Sequence, residues 1–249
     1  HYRYLAAALA ECPARASLVS KTFFGGLGMF KIWGRKDGSN VIKVTWCIGE
    51  LGVEYDRIDW GGEFGGNDDP EYRAKNPNGL LPTLEEEDGF TLWESGAVTR
   101  YLCAKYSMGN LYPEDLRERA AADKWMDWSS INFANFNSVY LDQYFRVPAE
   151  ERSAAQIATA AEKTVPLVDI LEKHLGENDY LGGSKLTMAD FAAGSLMHRW
   201  LYWTPNRPSH PNVEAYYERL AARPAYKEHV IAANEARTSQ IQNDLMPNL

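Results

Sequence analysis

Polar side chains stand at two predicted helix starts, Ser39 at one and Glu94-Ser95 at the other. Backbone N–H groups left free at a helix start attract negative charge. The second start follows a strand that begins at Leu81-Pro82, an acidic turn and a second strand. A helix start beside an exposed strand backbone can hold an anionic peptide, because the strand edge offers hydrogen bonds and the helix offers positive potential.

Three segments, in order and spacing, resemble the glutathione-binding half of a cytosolic glutathione transferase. They are the loop from Trp33 to Val41, Leu81-Pro82 before a strand, and Glu94-Ser95 before a helix. The likeness is greatest to the serine-type, theta/delta-like bacterial branch of that family. It covers Met29 to Ala233 and leaves out residues 1–28. The resemblance implies glutathione as co-substrate and a homodimer with its site near the subunit boundary.

Ser39 is placed to favour loss of the glutathione proton. A thiol with a pKa of about 8.5 is only about 3% ionised at pH 7, so an enzyme must lower that pKa by about two, or roughly 2.7 kcal/mol. A hydroxyl that donates to the sulfur contributes about 1.5 to 3 kcal/mol, and a helix N-terminus about 0.3 to 2 more. The resemblance aligns Ser39 with the thiolate-stabilising serine of the family, with Asn40 or Arg35 as assistant or substitute. The alternative interpretation of Ser39 is an ordinary helix N-cap.

The resemblance also implies the residues that hold the peptide. It implies a cis bond between Leu81 and Pro82 that turns the Leu81 backbone outward to pair with the cysteinyl part of glutathione. Without the resemblance a trans bond would be expected, since only about 5 to 6% of X-Pro bonds are cis. Ser95 as an N-cap would face the γ-glutamyl carboxylate, and Glu94 would attract the adjacent ammonium. Plain capping beside a surface acid is the alternative for this pair.

The chain departs from the family pattern at the glycyl end of glutathione. Related enzymes place a histidine, lysine or glutamine just before the strand proline to hold the glycyl carboxylate, and this chain has Gly79-Leu80 there. That contact must therefore come from Asn78, from the Arg35-Lys36 pair or from the backbone.

The order of predicted elements gives an α/β thioredoxin-like N-terminal domain followed by an all-α C-terminal domain. A βαβ unit and a ββα unit fill residues 29–106, residues 107–115 form a linker, and residues 116–249 are helical. Residues 1–28 are interpreted as an N-terminal extension without a catalytic role, and the alternative is that part of them packs on the first domain. A capping box at Thr187 predicts a structural role for Asp190. The predicted helices of the second domain are Leu116 to Tyr144, Ala149 to Leu175, Thr187 to Trp200, Asn212 to Ala222 and Ala225 to Ala233.

Tryptophans of the helical domain are candidates for lining the second-substrate pocket. Trp125 and Trp128 lie on its first predicted helix, and Trp203 lies in a later turn region. Core packing or dimer contacts are equally good interpretations, because so many aromatic side chains must pack somewhere.

Composition limits the possible partners and compartment. The 249 residues, 45% hydrophobic, carry a net charge of −8 without a basic block, which argues against nucleic acid or an anionic membrane as the main partner. No apolar run reaches the roughly 18 residues that a membrane span requires. Cys12, Cys47 and Cys103 are odd in number and widely spaced, so neither a disulfide framework nor a metal site is predicted. A reducing, cytoplasmic location is favoured.

Together these features predict an enzyme that activates glutathione as a thiolate and adds it to a small hydrophobic electrophile, a class that includes halogenated compounds. One alternative is a glutathione-dependent disulfide reductase or lyase on the same fold, and another is a non-catalytic ligand-binding protein. A reductase needs a nucleophilic cysteine at the first helix start, where Ser39 stands. Cys47, two turns deeper, is predicted to be a buried core thiol.

Overall fold

A four-stranded mixed sheet forms the centre of the first domain in the computed structural model, which describes residues 29–244. The predicted extension over residues 1–28 therefore lies outside the described residues. The strand order is β2-β1-β3-β4, with β1 parallel to β2 and β3 antiparallel to both β1 and β4. Ile32 and Leu84 pair at the centre of the sheet and are fully buried. The strands are β1 (Phe30–Trp33), β2 (Tyr55–Ile58), β3 (Thr83–Glu85) and β4 (Thr91–Trp93).

Three helices complete this domain and confirm the predicted thioredoxin-like fold: α1 (Ser39–Leu51), α2 (Pro70–Lys75) and α3 (Ser95–Tyr106). Helix α1 buries every residue from Val41 to Ile48. Such burial around a whole helix means that it is covered on several sides, and α1 packs against both α3 and the second domain. Gly52 ends α1 in the left-handed conformation that glycine adopts without a steric penalty.

The second domain is helical, as predicted, but its first helix is not continuous. Instead of one helix from Leu116 to Tyr144, π-helical turns at Ser129–Phe133 and Asp142–Arg146 interrupt the segment. The next long helix begins at Ala154, because the Ser153 hydroxyl accepts the Gln156 N–H there. The helices are α4 (Leu116–Trp128), α5 (Asn135–Leu141), α6 (Ala154–Leu175), α7 (Met188–Trp203), α8 (Pro211–Ala221), α9 (Pro224–Tyr226) and α10 (Ala232–Asp244), with a π-helical turn at Lys227–Ile231. Every helix in this described part of the chain falls short of the length and apolar character that crossing a membrane needs.

The two domains are joined by a tight contact between α1 and α7. The Trp46 ring meets Phe191 and Tyr226 edge to face, with ring centroids 4.7 and 4.9 Å apart. A Cβ atom on Gly194 would come within 2.8 Å of the Trp46 ring, so a glycine is needed for this approach. Arg223 also donates two hydrogen bonds to the Glu50 carboxylate across the junction. A well-packed junction of this kind fixes the walls of any cavity along it.

Candidate active site

A cavity of about 610 Å³ lies between the two domains. One wall comes from the loop before α1, the first turns of α1, Leu81 and the start of α3, and the other from the end of α4, the π-helical turn after it, α5 and α7. Both domains are therefore needed to form the site. The charged residues in its lining are Arg35, Asp37, Lys43, Glu94, Arg100, Asp127 and Arg146.

Ser39 lies in this cavity as the first residue of α1. Gly38 holds the N-cap position, so the alternative interpretation of Ser39 as the N-cap is wrong. The Ser39 hydroxyl oxygen instead accepts hydrogen bonds from Asn137 Nδ2, at 3.0 Å, and from Arg199 Nη1. Within residues 29–244, no group accepts the proton of this hydroxyl. The proton is therefore free to be donated to a ligand in the cavity.

Arg199 reaches the site from α7 and is completely buried. Its guanidinium donates to Asn137 Oδ1 at 2.8 Å, to Asn234 Oδ1 at 2.7 Å and to the Asp37 carbonyl at 3.0 Å, in addition to Ser39. Burial lowers the pKa of Arg199 to about 9, which leaves the side chain charged at pH 7.

A second polar cluster occupies the start of α3. Ser95 is the first residue of this helix and Glu94 takes the N-cap position, so the prediction that Ser95 is the N-cap is wrong. The Ser95 hydroxyl donates to Asn40 Oδ1 at 3.2 Å and accepts from Lys43 Nζ at 3.0 Å. Burial lowers the pKa of Lys43 to about 8, and the charge of the Glu94 carboxylate opposes that shift. A buried ammonium, a hydroxyl and a helix N-terminus together suit an anion.

Glu94 has an unusual backbone conformation for its residue type. Its φ of +68° lies in the left-handed region that favours glycine. Such a conformation costs about 1 to 3 kcal/mol, and residues that hold it cluster at active sites, ligand-binding positions and switch regions. The exposed Glu94 carboxylate lies in the cavity lining.

Only some of the residues that were predicted around the start of β3 to hold the peptide line the cavity. The bond between Leu81 and Pro82 is cis, which confirms the conformation that the resemblance implied. Leu81 lines the cavity, whereas Pro82 is buried outside the lining. Asn78 also lies outside the lining, and its side chain donates to Asn76 Oδ1. Of the candidates for the glycyl carboxylate, Arg35 lines the cavity, where it forms ion pairs with Asp37 and Glu63.

The helical wall of the cavity carries hydroxyl groups where tryptophans were predicted. Trp125 and Trp128 contact each other edge to face with ring centroids 5.3 Å apart, and neither lines the cavity. Trp203 is fully buried and donates to Thr238 Oγ1 at 2.9 Å. The Ser129 hydroxyl is buried and has no hydrogen-bond partner within residues 29–244. Apart from the charged Asp127 and Arg146, the lining here consists of polar and apolar residues: Ser129, Ser130, Ala134, Asn137, Ser138, Leu141, Ala192, Ser195 and Leu196.

Sequence reasoning missed three residues that contact the predicted ones: Lys43, Asn137 and Arg199. Lys43 could have been found, because it follows Ser39 by four residues and so lies on the same face of α1. Arg199 offers a weaker signal, since a charge within an apolar helix segment must find partners when it is buried. Asn137 gives no local signal, because only the tertiary fold brings it to Ser39.

The fold and the cavity define a two-domain enzyme with a thioredoxin-like first half. Residues 28–104 match the family described as glutathione S-transferase, N-terminal domain, and residues 139–224 match glutathione S-transferase, C-terminal domain. The chain therefore belongs to the glutathione S-transferase family, and it is a transferase.

Individual relatives agree with this assignment over most of their length. Glutathione S-transferase GstB of Escherichia coli is 36% identical over 208 residues, which cover 82% of this chain and 98% of the relative. Glutathione S-transferase 3 of Zea mays is 31% identical over 209 residues, covering 81% and 93%. Among solved structures, the theta class enzyme of Xanthomonas axonopodis pv. citri with glutathione bound is 42% identical, with a TM-score of 0.77 and coverage of 82% and 98%.

Proposed function

We propose that this transferase activates glutathione as a thiolate at Ser39 and joins it to a small electrophile by substitution or addition. The observation that carries the proposal is that Ser39, Leu81, Glu94 and Ser95, from separate segments of the first domain, line one cavity. The N-terminus of α1 lies at Ser39, so its free N–H groups add positive potential where the sulfur would lie.

The charges along the cavity support one orientation for glutathione. Lys43 and Ser95 suit the γ-glutamyl carboxylate, and Glu94 suits the adjacent ammonium. Arg35 and Leu81 pack against the same Gly61-Gly62 turn, so Arg35 lies on the Leu81 side of the site. Because Arg35 lines the cavity and its neighbour Lys36 does not, we assign the glycyl carboxylate to Arg35.

The helical wall favours an electrophile with a polar end over a purely apolar one. Ser129 and Ser138 offer hydroxyl groups there, and the buried Ser129 hydroxyl lacks a partner among the described residues. The Ser130 hydroxyl instead donates to the Met126 carbonyl at 2.9 Å. A buried polar group without a partner costs free energy, which a ligand hydrogen bond would recover. A haloacid fits this wall better than a haloaromatic compound, because its carboxylate can accept from the hydroxyls.

Disulfide reduction is less well supported by the arrangement of thiols. Cys47 and Cys103 are both completely buried, which confirms the prediction for Cys47, and their sulfur atoms lie 3.5 Å apart. Burial raises the pKa of the Cys47 thiol, so it is a poor nucleophile. Neither sulfur lines the cavity at Ser39.

Calorimetry followed by product analysis tests the proposed function. Glutathione is expected to release or absorb measurable heat on mixing, and a haloacetate is expected to be conjugated faster than a chlorinated nitrobenzene. Reduction of a mixed disulfide without any conjugation would favour the reductase instead. Absence of glutathione binding would contradict the proposal altogether.

The assignment of Arg35 predicts a selective loss of affinity in Arg35→Gln. Loss of a hydrogen-bonded charge pair costs about 1.5 kcal/mol or more, so affinity for glutathione is expected to fall about tenfold. Glutathione esterified at its glycyl carboxylate should bind both proteins equally, since it offers no negative charge to Arg35. The matched control is Lys36→Gln, an exposed neighbour outside the lining. Equal losses for glutathione and its ester would contradict the assignment.

The assignment of Lys43 to the γ-glutamyl carboxylate predicts that affinity for glutathione analogues depends on pH. Its pKa is lowered to about 8, so the ammonium is charged below that pH and loses its proton above it. Affinity for S-methylglutathione, which has no ionisable thiol, is therefore expected to fall about tenfold between pH 7 and pH 9. Lys43→Arg should keep its affinity across this range, because arginine stays charged. An identical pH profile in Lys43→Met and the parent protein would exclude this role.

We also propose a cytoplasmic homodimer. Phe90 and Trp93 are large apolar side chains that remain 43% and 38% exposed beside the start of α3, and exposed apolar groups of this kind often mark interfaces. The two adjacent free thiols, Cys47 and Cys103, fit a reducing compartment. Sedimentation at equilibrium would measure the assembly directly.

A further inference from the structure

The polar contacts of Arg199 set the direction of every hydrogen bond around Ser39. An arginine side chain can only donate, so the Asn137 atom that faces Arg199 must be its carbonyl oxygen. The amide nitrogen of Asn137 is then turned toward Ser39 and donates to the hydroxyl oxygen. Arg199 also donates to that oxygen directly. A hydroxyl oxygen accepts about two hydrogen bonds, so both acceptor positions of Ser39 are occupied.

This arrangement leaves Ser39 with one remaining capacity, the donation of its proton. Ordinarily a serine at a helix start can turn its proton toward a backbone or side-chain oxygen nearby. Here the two incoming donors exclude that orientation, since the proton would point at Asn137 or Arg199. The proton is thus directed into the cavity, toward a group that accepts a hydrogen bond.

Among the described residues 29–244, no carboxylate accepts a hydrogen bond from Arg199. All four of its hydrogen-bond acceptors are neutral oxygens, on Ser39, Asn137, Asn234 and the Asp37 backbone. The Asp37 carboxylate instead pairs with Arg237 at 2.6 Å and with Arg35 at 3.5 Å. The charged groups around Ser39 and Arg199 are Arg35, Asp37, Lys43, Glu94, Arg100, Asp127, Arg146 and Arg237. The excess of positive groups in this region would stabilise an anion at the Ser39 hydroxyl.

We propose that Arg199 is a positioning residue for thiolate formation, which acts through Asn137 and Ser39 to keep the serine proton directed at the sulfur of the ligand. The proposal rests on the proposed function, because it requires glutathione to bind with its sulfur at Ser39. It explains why a helical-domain arginine is buried at the start of α1, in contact with a residue 160 positions away in sequence. It also makes thiol activation depend on the contact between the two domains.

The test is the pKa of the bound thiol, read from the ultraviolet absorbance of the thiolate during a pH titration of the glutathione complex. Arg199→Gln is expected to raise this pKa by about 1, since a charge close to a titrating group shifts its pKa by about 1 to 3. With glutathione saturating, the pH profile of kcat/KM for the electrophile should shift to alkaline pH by the same amount. Affinity for S-methylglutathione should change less than threefold, because Arg199 does not line the cavity.

Arg237→Gln is the matched control for loss of charge alone. Arg237 is half-buried and contacts Asp37, like Arg199, but makes no hydrogen bond to Ser39. Its variant is expected to raise the bound-thiol pKa by less than half as much as Arg199→Gln. An equal rise in both variants would overturn the route through Ser39, because it would show that only the total charge matters.

Asn137→Asp keeps the proposal testable if Arg199→Gln fails to fold. The new carboxylate has the shape of the amide and gains an ion pair with Arg199, so the melting temperature is expected to stay the same or rise. Ser39 would then donate its proton to the carboxylate and not to the sulfur, and conjugation at pH 7 should fall at least tenfold. A folded Asn137→Asp protein with an unchanged bound-thiol pKa would overturn the proposal.

The bound-thiol pKa of the parent protein distinguishes failure of the proposed function from failure of the role proposed for Arg199. If that bound thiol titrates like free glutathione, the proposed function itself fails. If the bound thiol is clearly more acidic than free glutathione and its pKa is the same in the parent protein, Arg199→Gln and Asn137→Asp, only the role of Arg199 fails.

Discussion

Replacing Ser39 with alanine is expected to lower kcat/KM for conjugation by about tenfold to a hundredfold at pH 7. The substitution removes the hydroxyl at the start of α1 whose proton is directed into the cavity. A hydrogen bond to a charged group contributes about 1.5 to 3 kcal/mol, and each ~1.4 kcal/mol corresponds to a tenfold change in rate. Some activity should persist, because the N-terminus of α1 still favours the thiolate. Steady-state kinetics and the pKa of the bound thiol measure the two parts of this effect.

Two controls separate loss of chemistry from loss of binding. Ser39→Thr keeps a hydroxyl at the same position and should retain most of the turnover. S-methylglutathione should bind Ser39→Ala with nearly the affinity of the parent protein, because Lys43, Ser95 and Arg35 are unchanged. Unaltered turnover in Ser39→Ala would contradict the role assigned to this residue and would leave Asn40 as the candidate for stabilising the thiolate.

The parts of the site that could be predicted come from short segments with local rules. Ser39, Leu81, Glu94 and Ser95 each stand beside a helix or strand start that the sequence pattern marks. The cap of α3 was predicted one residue late, at Ser95, and the alternative that made Ser39 the cap of α1 was late by one residue as well. At α3 the reason is physical: Glu94 holds a positive φ that a non-glycine residue rarely adopts, so capping preferences pointed to Ser95.

The remaining parts depend on contacts that no local pattern encodes. Asn137 lies 98 residues from Ser39 and Arg199 lies 160 residues away. Both arrive through the packing of α7 against α1 and of α5 against α7. The π-helical turn at Ser129–Phe133 interrupts the predicted helix and brings Ser129 and Ser130 into the cavity lining. Aromatic content suggested a tryptophan-lined wall, but large side chains fill the core of the helical domain more effectively than its surface clefts.

Arg199 lies on α7, and Asp190 anchors the start of that helix. The capping box is confirmed: Thr187 N–H donates to the Asp190 carboxylate at 2.9 Å, and the Thr187 hydroxyl accepts from Ala189. The carboxylate also accepts from Leu181 N–H at 2.8 Å and from the Tyr216 hydroxyl at 3.0 Å. A single buried side chain thus ties the start of α7 to the preceding loop and to α8.

Asp190→Ala is therefore expected to lower the free energy of unfolding by about 3 to 5 kcal/mol. It leaves three donors without an acceptor, and each buried group of this kind costs about 1 to 3 kcal/mol. For a chain of this size the melting temperature should fall by about 6 to 20 °C, since 1 kcal/mol corresponds to about 2 to 4 °C. Urea titration and thermal melting measure the change, with Asp179→Ala as the control because Asp179 is an exposed aspartate nearby.

The same variant distinguishes a folding role from a catalytic one. Arg199 lies nine residues after Asp190, about 13 Å along the helix axis, and the influence of a cap fades within the first turn. The folded fraction of Asp190→Ala should therefore keep the bound-thiol pKa of the parent protein and turn over within threefold of it at low temperature. A raised pKa in folded Asp190→Ala would mean that the cap positions Arg199 as well as stabilising α7, and a protein with unchanged stability would contradict the structural role of Asp190.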